Sequence, residues 1–288
     1  MTIIITIASL GGLTLLLAIM LVVANKKLYV YEDPRIDAVD DMLPKANCGA
    51  CGFPGCRPFA EALVEGKVAP SKCTVSSEEG REAIANYLGV ALGQEEKQVA
   101  RLACAGGTNV ARNKANYVGI SSCSAASLVS GGGKGCFWGC LGLGDCANVC
   151  DFDAIKMDEH GLPVVDMDNC TACGDCVEVC PKDLFSIQPI SNQLWVNCKN
   201  LEHGDDVLEE CEVACTACGR CAMDAPGDMI IMENNLPVIN YKAARQTFET
   251  IDRCPTGAII WWDQKKGALK GSSAKKIVRK GEKMAGYS

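Results

Sequence analysis

Histidine is nearly missing from this 288-residue chain: only His160 and His203 occur, and neither stands at a ligand-like spacing from another donor. That argues against zinc sites mixing cysteine with histidine, and no patterned general base or nucleophile is visible either. Aromatic residues are scarce, at 6%. Large apolar cores are therefore not expected, whereas small metal-cluster domains fold with poor cores because ligation free energy becomes folding free energy. No G-x-G-x-x-G follows a strand pattern and no G-K-[ST] occurs. The Gly131-Gly132-Gly133 run thus reads as part of a Gly/Ser/Ala-rich loop from Cys104 to Gly135, and neither nicotinamide nor flavin binding is expected. Net charge is −7, and no nucleic-acid partner is expected.

Cysteine is what the chain has in excess, at 20 residues. The chain is too long and its cysteines too clustered for a secreted disulfide scaffold, so thiolate ligands in a reducing compartment are expected. Cys170, Cys173, Cys176 and Cys180, with Pro181 behind, have the spacing C-x2-C-x2-C-x3-C-P. Three such thiolates curl around one [4Fe-4S] cube while the fourth reaches the neighbouring cube. The pattern predicts one cube on Cys150, Cys170, Cys173 and Cys176, and another on Cys136, Cys140, Cys146 and Cys180. The second set departs from the usual spacing, since Leu143 stands where the middle cysteine belongs and Cys136 substitutes. Structural zinc is the rival, but zinc favours two separated pairs rather than triplets followed by Cys-Pro.

Upstream, Ile3 to Ala24 carries no charge and as a helix is about 33 Å long, enough to span a bilayer. Nothing basic precedes it and no small-x-small cleavage site follows, which favours an anchor over a signal peptide. Lys26 and Lys27 place the remainder in the cytoplasm. Asp33 and Pro34 are expected to open a short helix with Ile36, Val39 and Leu43 on one face. Cys48, Cys51, Cys56 and Cys73, with Gly49, Gly52 and Gly55 between them, predict an isolated [4Fe-4S] site, for which zinc is a closer rival. Ser76 and Glu79 suggest a capping box for a helix carrying Ile84, Leu88 and Ala91, and Glu95 to Ala103 also reads as helical.

Downstream the chain repeats. Asp153–Met157 matches Asp228–Met232 at an offset of 75 residues, and Leu162–Val165 matches Leu236–Ile239 at 74. In that register Cys150, Cys170, Cys173 and Cys176 fall on Ala225, Ala244, Thr247 and Thr250, so the second module is expected to keep one cube and lose the other. Its ligands are expected to be Cys215, Cys218, Cys221 and Cys254, with Cys211 the rival to Cys218. Four cubes leave Cys104, Cys123, Cys198 and Cys211. Four is the ligand count of a fifth cube; buried inert thiols are the alternative. The register aligns Cys123 with Cys198 and gives Cys104 no counterpart. From Gln264 to Ser288 eight lysines and arginines face one acid, Glu282, which suggests either a solvated disordered tail or a surface for an acidic partner or anionic lipid.

The apolar N-terminal run, the Asn47–Cys56 motif NCGACGFPGC and the eight-cysteine module, in that order, resemble RnfB, the iron–sulfur subunit of the Rnf complex, in its longer form with a second ferredoxin-like module. The resemblance implies an electron-transfer subunit of an ion-translocating ferredoxin:NAD oxidoreductase in the cytoplasmic membrane, with no independent catalytic site on this chain. Its partners would be soluble ferredoxin, other membrane and peripheral subunits and the lipid bilayer. Reduction of an iron–sulfur redox sensor, as in the shorter RsxB-type proteins, is the alternative; a structural zinc protein is another. The expected fold is α+β, with a transmembrane anchor at 1–26, a small helical four-cysteine domain at 27–92 and a helix and loop connector at 93–133. A two-cluster ferredoxin-like module at 134–190, a one-cluster module at 191–263 and a basic tail at 264–288 complete the layout.

Overall fold

The computed structural model describes residues 2–28, 32–243, 245–263 and 265–275 of the chain, which is a mixture of helices and short antiparallel strands. The chain divides into two compact units. The first comprises residues 1–47, 53–70 and 76–92; the second comprises residues 48–52, 71–75 and everything from 93 onward.

In the first unit, helix α1 (Thr2–Leu28) is long and apolar enough to cross a membrane, and its last turn carries Lys26 and Lys27. Helices α2 (Pro34–Met42), α3 (Cys56–Val64) and α4 (Glu78–Leu88) pack together through Val39, Leu43, Phe59, Leu63 and Ile84, all buried. Asp33 caps α2 by accepting the Arg35 N–H at 2.9 Å, with Pro34 in the first turn, where its missing N–H costs nothing. The cap of α4 is one residue later than the capping-box pattern suggests: Ser77 accepts the Gly80 N–H at 3.1 Å, which puts Glu78 and Glu79 in the first turn against the helix dipole. Left-handed Gly89 ends the helix, so Ala91 lies beyond it.

The second unit contains two strand assemblies of the same design. Residues 98–102 form strand β1 rather than the expected helix. The segment pairs antiparallel with β4 (Phe185–Pro189) from Gln98 opposite Pro189 to Leu102 opposite Phe185. Val99, Ala100 and Arg101 are all buried there, so a run without period-2 alternation is a strand covered on both faces. Arg101 lies with its guanidinium carbon 5.3 Å from the centre of the Trp262 ring. Between β1 and β4 lie short helices α5 (Cys123–Leu128) and α6 (Asp145–Asn148), the hairpin β2 (Ile155–Met157) and β3 (Pro163–Val165), and α7 (Asp175–Glu178). The second assembly begins with β5 (Leu194–Val196). After α8 (Val207–Glu210) and α9 (Arg220–Asp224) come the hairpin β6 (Ile230–Glu233) and β7 (Leu236–Ile239), then β8 (Ile259–Asp263) and β9 (Gly267–Leu269) in the order β5-β8-β9.

The matched hairpins β2–β3 and β6–β7 are the repeated sequence segments, and β1–β4 and β5–β8 close their modules in the same way. The Ala103 N–H donates to the Leu184 carbonyl at 2.8 Å, and the Asn197 N–H donates to the Ala258 carbonyl at 2.7 Å, immediately beyond the corresponding strands. A first module that opens at β1 begins well before residue 134.

The basic tail also departs from expectation near its start, because residues 267–269 add β9 to the sheet. Asp263 holds the turn by accepting the Lys265 and Lys266 N–H groups at 2.9 and 2.8 Å. Lys276, Arg279, Lys280 and Lys283 lie outside the described residues, as does Ala244 of the repeat register. A Cβ at Gly271 would collide with the Ile251 carbonyl and the Asp252 backbone. Gly271→Ala is therefore expected to destabilise the protein by about 1–3 kcal/mol through overpacking. Thermal unfolding of the detergent-solubilised, cluster-loaded protein checks this; an unchanged midpoint would mean that residues 265–275 are not part of the folded unit.

Candidate iron–sulfur centres

Ring formation starts from a loop that recurs three times. In Cys170–Cys176, Ala172 (φ 60°) and Gly174 (φ 99°) are left-handed, and α7 follows directly. In Cys215–Cys221, Ala217 (φ 56°) and Gly219 (φ 70°) take the same positions ahead of α9. In Cys140–Cys146, Gly142 (φ 76°) and Gly144 (φ 83°) do so ahead of α6. Two left-handed residues curl the backbone so that cysteines on either side face inward. The third loop keeps this conformation even though Leu143 replaces its middle cysteine.

The structure brings Cys215, Cys218, Cys221 and Cys254 around one recess of about 350 Å³. Cys170, Cys173, Cys176 and Cys150 also lie close together. Burial pushes the Cys176 thiol up to about 12, and the nearby Cys170, Cys173, Cys146 and Cys150 sulfurs push in the same direction. The Ala100 N–H donates to Cys170 Sγ at 3.4 Å, so β1 supports this ring directly.

The remaining ring of the first module corrects the sequence assignment. Cys140, Cys146 and Cys180 line a recess of about 380 Å³ with Cys123, not with Cys136. Cys123 opens α5, whose start is tied to the loop by Asp145: its Oδ2 accepts the Ser122 hydroxyl at 2.9 Å and the Ser124 N–H at 3.2 Å. A cysteine distant in sequence thus fills the place left by Leu143. Cys136 lines a separate recess of about 340 Å³ together with Cys104, Cys198 and Cys211. Sequence spacing alone could not find these memberships, since Cys123 and Cys104 come from segments with no local motif.

Of the N-terminal four, Cys48, Cys51 and Cys73 fall in the second unit, whereas Cys56 heads α3 of the first. Gly49 and Gly52 are left-handed, with the Gly52 N–H donating to the Gly49 carbonyl at 2.7 Å. Asn47 Oδ1 accepts the Cys56 N–H at 2.8 Å and lies where a Cβ at Gly55 would intrude. The glycine must be there for the asparagine to hold the start of α3.

The donor chemistry fits iron–sulfur clusters. Thiolates around one zinc ion lie about 3.8 Å apart, given Zn–S bonds near 2.3 Å. Among the described residues, no three His, Cys, Asp or Glu side chains converge closely enough for a single ion. Four thiols spread round a recess suit a group that offers each its own iron. Burial raises Cys146, Cys215 and Cys221 to about 11 and Cys140 to about 12. Such thiols surrender their protons only to a strongly cationic partner, so loading releases protons.

Rings of this kind define a class, the multi-cluster ferredoxin-like electron carriers. Comparison with known families agrees: residues 43–75 match a model described as a putative Fe-S cluster, and residues 136–184 match a 4Fe-4S dicluster domain. The chain is 42% identical over 257 residues to the RnfB-type component of the Na(+)-translocating ferredoxin:NAD(+) oxidoreductase complex of Acetobacterium woodii, covering 89% of this chain and 77% of that protein. It is 38% identical to the counterpart in the proton-translocating complex of Clostridium ljungdahlii, covering 85% of this chain and 87% of that protein. The corresponding component of the ion-translocating oxidoreductase complex of Methanosarcina acetivorans is 37% identical, with 88% of this chain and 96% of that protein covered. The chain belongs to the RnfB family of ion-translocating ferredoxin:NAD oxidoreductase (Rnf) complexes, and it carries [4Fe-4S] clusters.

Because the 140–146 loop keeps the regular backbone, Leu143 stands where a cysteine would ligate. Cys123→Ala is expected to lose about four irons per chain, and adding Leu143→Cys is expected to restore them. Iron and sulfide analysis after anaerobic purification decides it; a Cys123→Ala protein with full iron would return Cys136 to this ring.

Proposed function

We propose that this chain is a membrane-anchored electron relay that accepts electrons from soluble ferredoxin and passes them within an ion-translocating ferredoxin:NAD oxidoreductase complex. The observation that carries the reading is the gathering of several complete thiol rings within one compact unit. We assign the clusters to Cys48, Cys51, Cys56 and Cys73; to Cys123, Cys140, Cys146 and Cys180; to Cys150, Cys170, Cys173 and Cys176; and to Cys215, Cys218, Cys221 and Cys254. When bound, each cluster takes up and releases one electron without net bond chemistry.

The residues around them do the rest. Backbone N–H groups such as those of Ala100 and Leu184, donating to Cys170 and Cys180, stabilise negative sulfur and so help set the potential. Buried Ile155, Phe185 and Ala100 keep water from the paired rings of the first module, and Met229, Ile251 and Ile259 do so in the second. The chain supplies no patterned acid–base or nucleophilic machinery, and an electron relay needs none.

Helix α1 would span the membrane once, with Lys26 and Lys27 holding its end on the cytoplasmic side. A tag after Ser288 is expected to survive protease added outside intact cells and to be cleaved once they are opened; loss of the tag in intact cells reverses the orientation. The ferredoxin step is tested by mixing reduced ferredoxin anaerobically with the purified complex and following the bleaching of its visible absorption.

In the same assay the basic residues beyond β8 offer local attraction on an otherwise acidic chain. Deleting residues 276–288, which include Lys276, Arg279, Lys280 and Lys283, spares β9 and is expected to slow bleaching at low ionic strength. The difference should close as the Debye length falls toward about 8 Å at physiological salt. An equal rate for both proteins at low salt leaves the tail without a docking role.

A further inference from the structure

We propose that Cys104, Cys136, Cys198 and Cys211 hold one more [4Fe-4S] cluster, shared between the two ferredoxin-like modules. The proposal rests on the reading of the other thiol rings as cluster sites. These four sulfurs surround a recess of about 340 Å³, close to the recesses of about 350 and 380 Å³ ringed by the Cys254 and Cys180 sets. Each module contributes two.

The two halves are built alike. Cys104 comes two residues after β1 ends at Leu102, and Cys198 two residues after β5 ends at Val196. Cys104 Sγ accepts the N–H of Gly106 and that of Cys140, both at 3.4 Å. Cys198 Sγ accepts the N–H of Asn200 at 3.4 Å and that of Cys215 at 3.3 Å. Cys140 and Cys215 are themselves counterparts at the 75-residue offset. Cys136 and Cys211 are counterparts too, and their carbonyls accept the N–H groups of Gly139 at 3.2 Å and Ala214 at 3.1 Å. Cys104 therefore does have a repeat partner, Cys198. The sequence register pairs Cys198 with Cys123 instead because the first module carries an extra excursion between β1 and Cys136.

Backbone hydrogen bonds fix the two halves against each other. The Ala105 N–H donates to the Asn197 carbonyl at 3.1 Å, Arg112 to Glu210 at 2.7 Å, and Glu212 to Val110 at 3.0 Å. Gly106 leaves the space clear, since a Cβ there would stand 3.1 Å from Cys211 Sγ. Four inert buried thiols would need none of this: sulfurs that each accept two backbone N–H groups are held as charged ligands are. A cluster here gives electrons a station between the cube of the second module and the pair in the first. It also cross-links residues far apart in sequence, which restricts the unfolded chain.

The test is iron and sulfide per chain in the full-length protein, purified anaerobically in detergent. About 20 irons are expected, falling to about 16 in Cys104→Ala. Cys104→Ala with Cys136→Ala should still hold about 16, because both belong to one site, whereas Cys123→Ala with Cys136→Ala should hold about 12. About 16 irons in the unaltered protein, unchanged by Cys104→Ala, overturns the shared cluster while leaving the four other rings standing. Should the variants not fold, the count on the unaltered protein decides alone. A colourless protein with zinc in place of iron overturns the wider reading as well.

Discussion

Bonding of thiolate to iron is the interaction on which this structure depends. The second unit has few aromatic residues and strands of only three to five residues, too short to hold one another without help. Its buried set includes Cys146, Cys176, Cys198 and Cys211 among the aliphatic side chains, so sulfurs stand at the centre of each core rather than at its edge. Stripped of metal, those thiols stay protonated and crowd one another, which makes ligation a folding term as much as a functional one.

From that constraint the repeated architecture follows. A curled loop presents three inward positions, and the returning strand after Pro181 or Pro255 brings a fourth cysteine from about thirty residues away. The hairpins β2–β3 and β6–β7 span the distance between. The second module keeps this frame where ligands are lost: Thr250 is buried, and its hydroxyl lies 3.1 Å from that of Thr247. Two small polar side chains that satisfy each other stand where two thiolates would otherwise face a cube.

Local patterns are legible in the sequence, and tertiary ones are not. The C-x2-C-x2-C loops are self-contained, so Cys170, Cys173 and Cys176, and likewise Cys215, Cys218 and Cys221, can be grouped by spacing alone. The cap at Asp33 is legible for the same reason. Residues 98–102 read as helical because Val99, Ala100 and Leu102 lack alternation, and only pairing with β4 on one edge and burial on both faces makes the segment a strand. Cys123 and Cys104 carry no local signal: their roles depend on where α5 and β1 pack, and a register derived from the hairpins cannot see the insertion between β1 and Cys136.

That insertion explains the irregular first loop. In an undivided ring the middle cysteine would sit at Leu143 and no excursion would be required. Here residues 105–135 leave the module, deliver Cys123 through α5, and return through Gly131, Gly132 and Gly133, all left-handed. Gly133 passes so close to the Ala115 carbonyl that a Cβ would collide with it, which pins the return path. The Lys134 ammonium then donates to the Gly106 and Cys140 carbonyls and fixes the approach to Cys136. Moving one ligand of the first ring onto a distant helix thus leaves Cys136 turned toward the other module, where its repeat counterpart Cys211 already faces it.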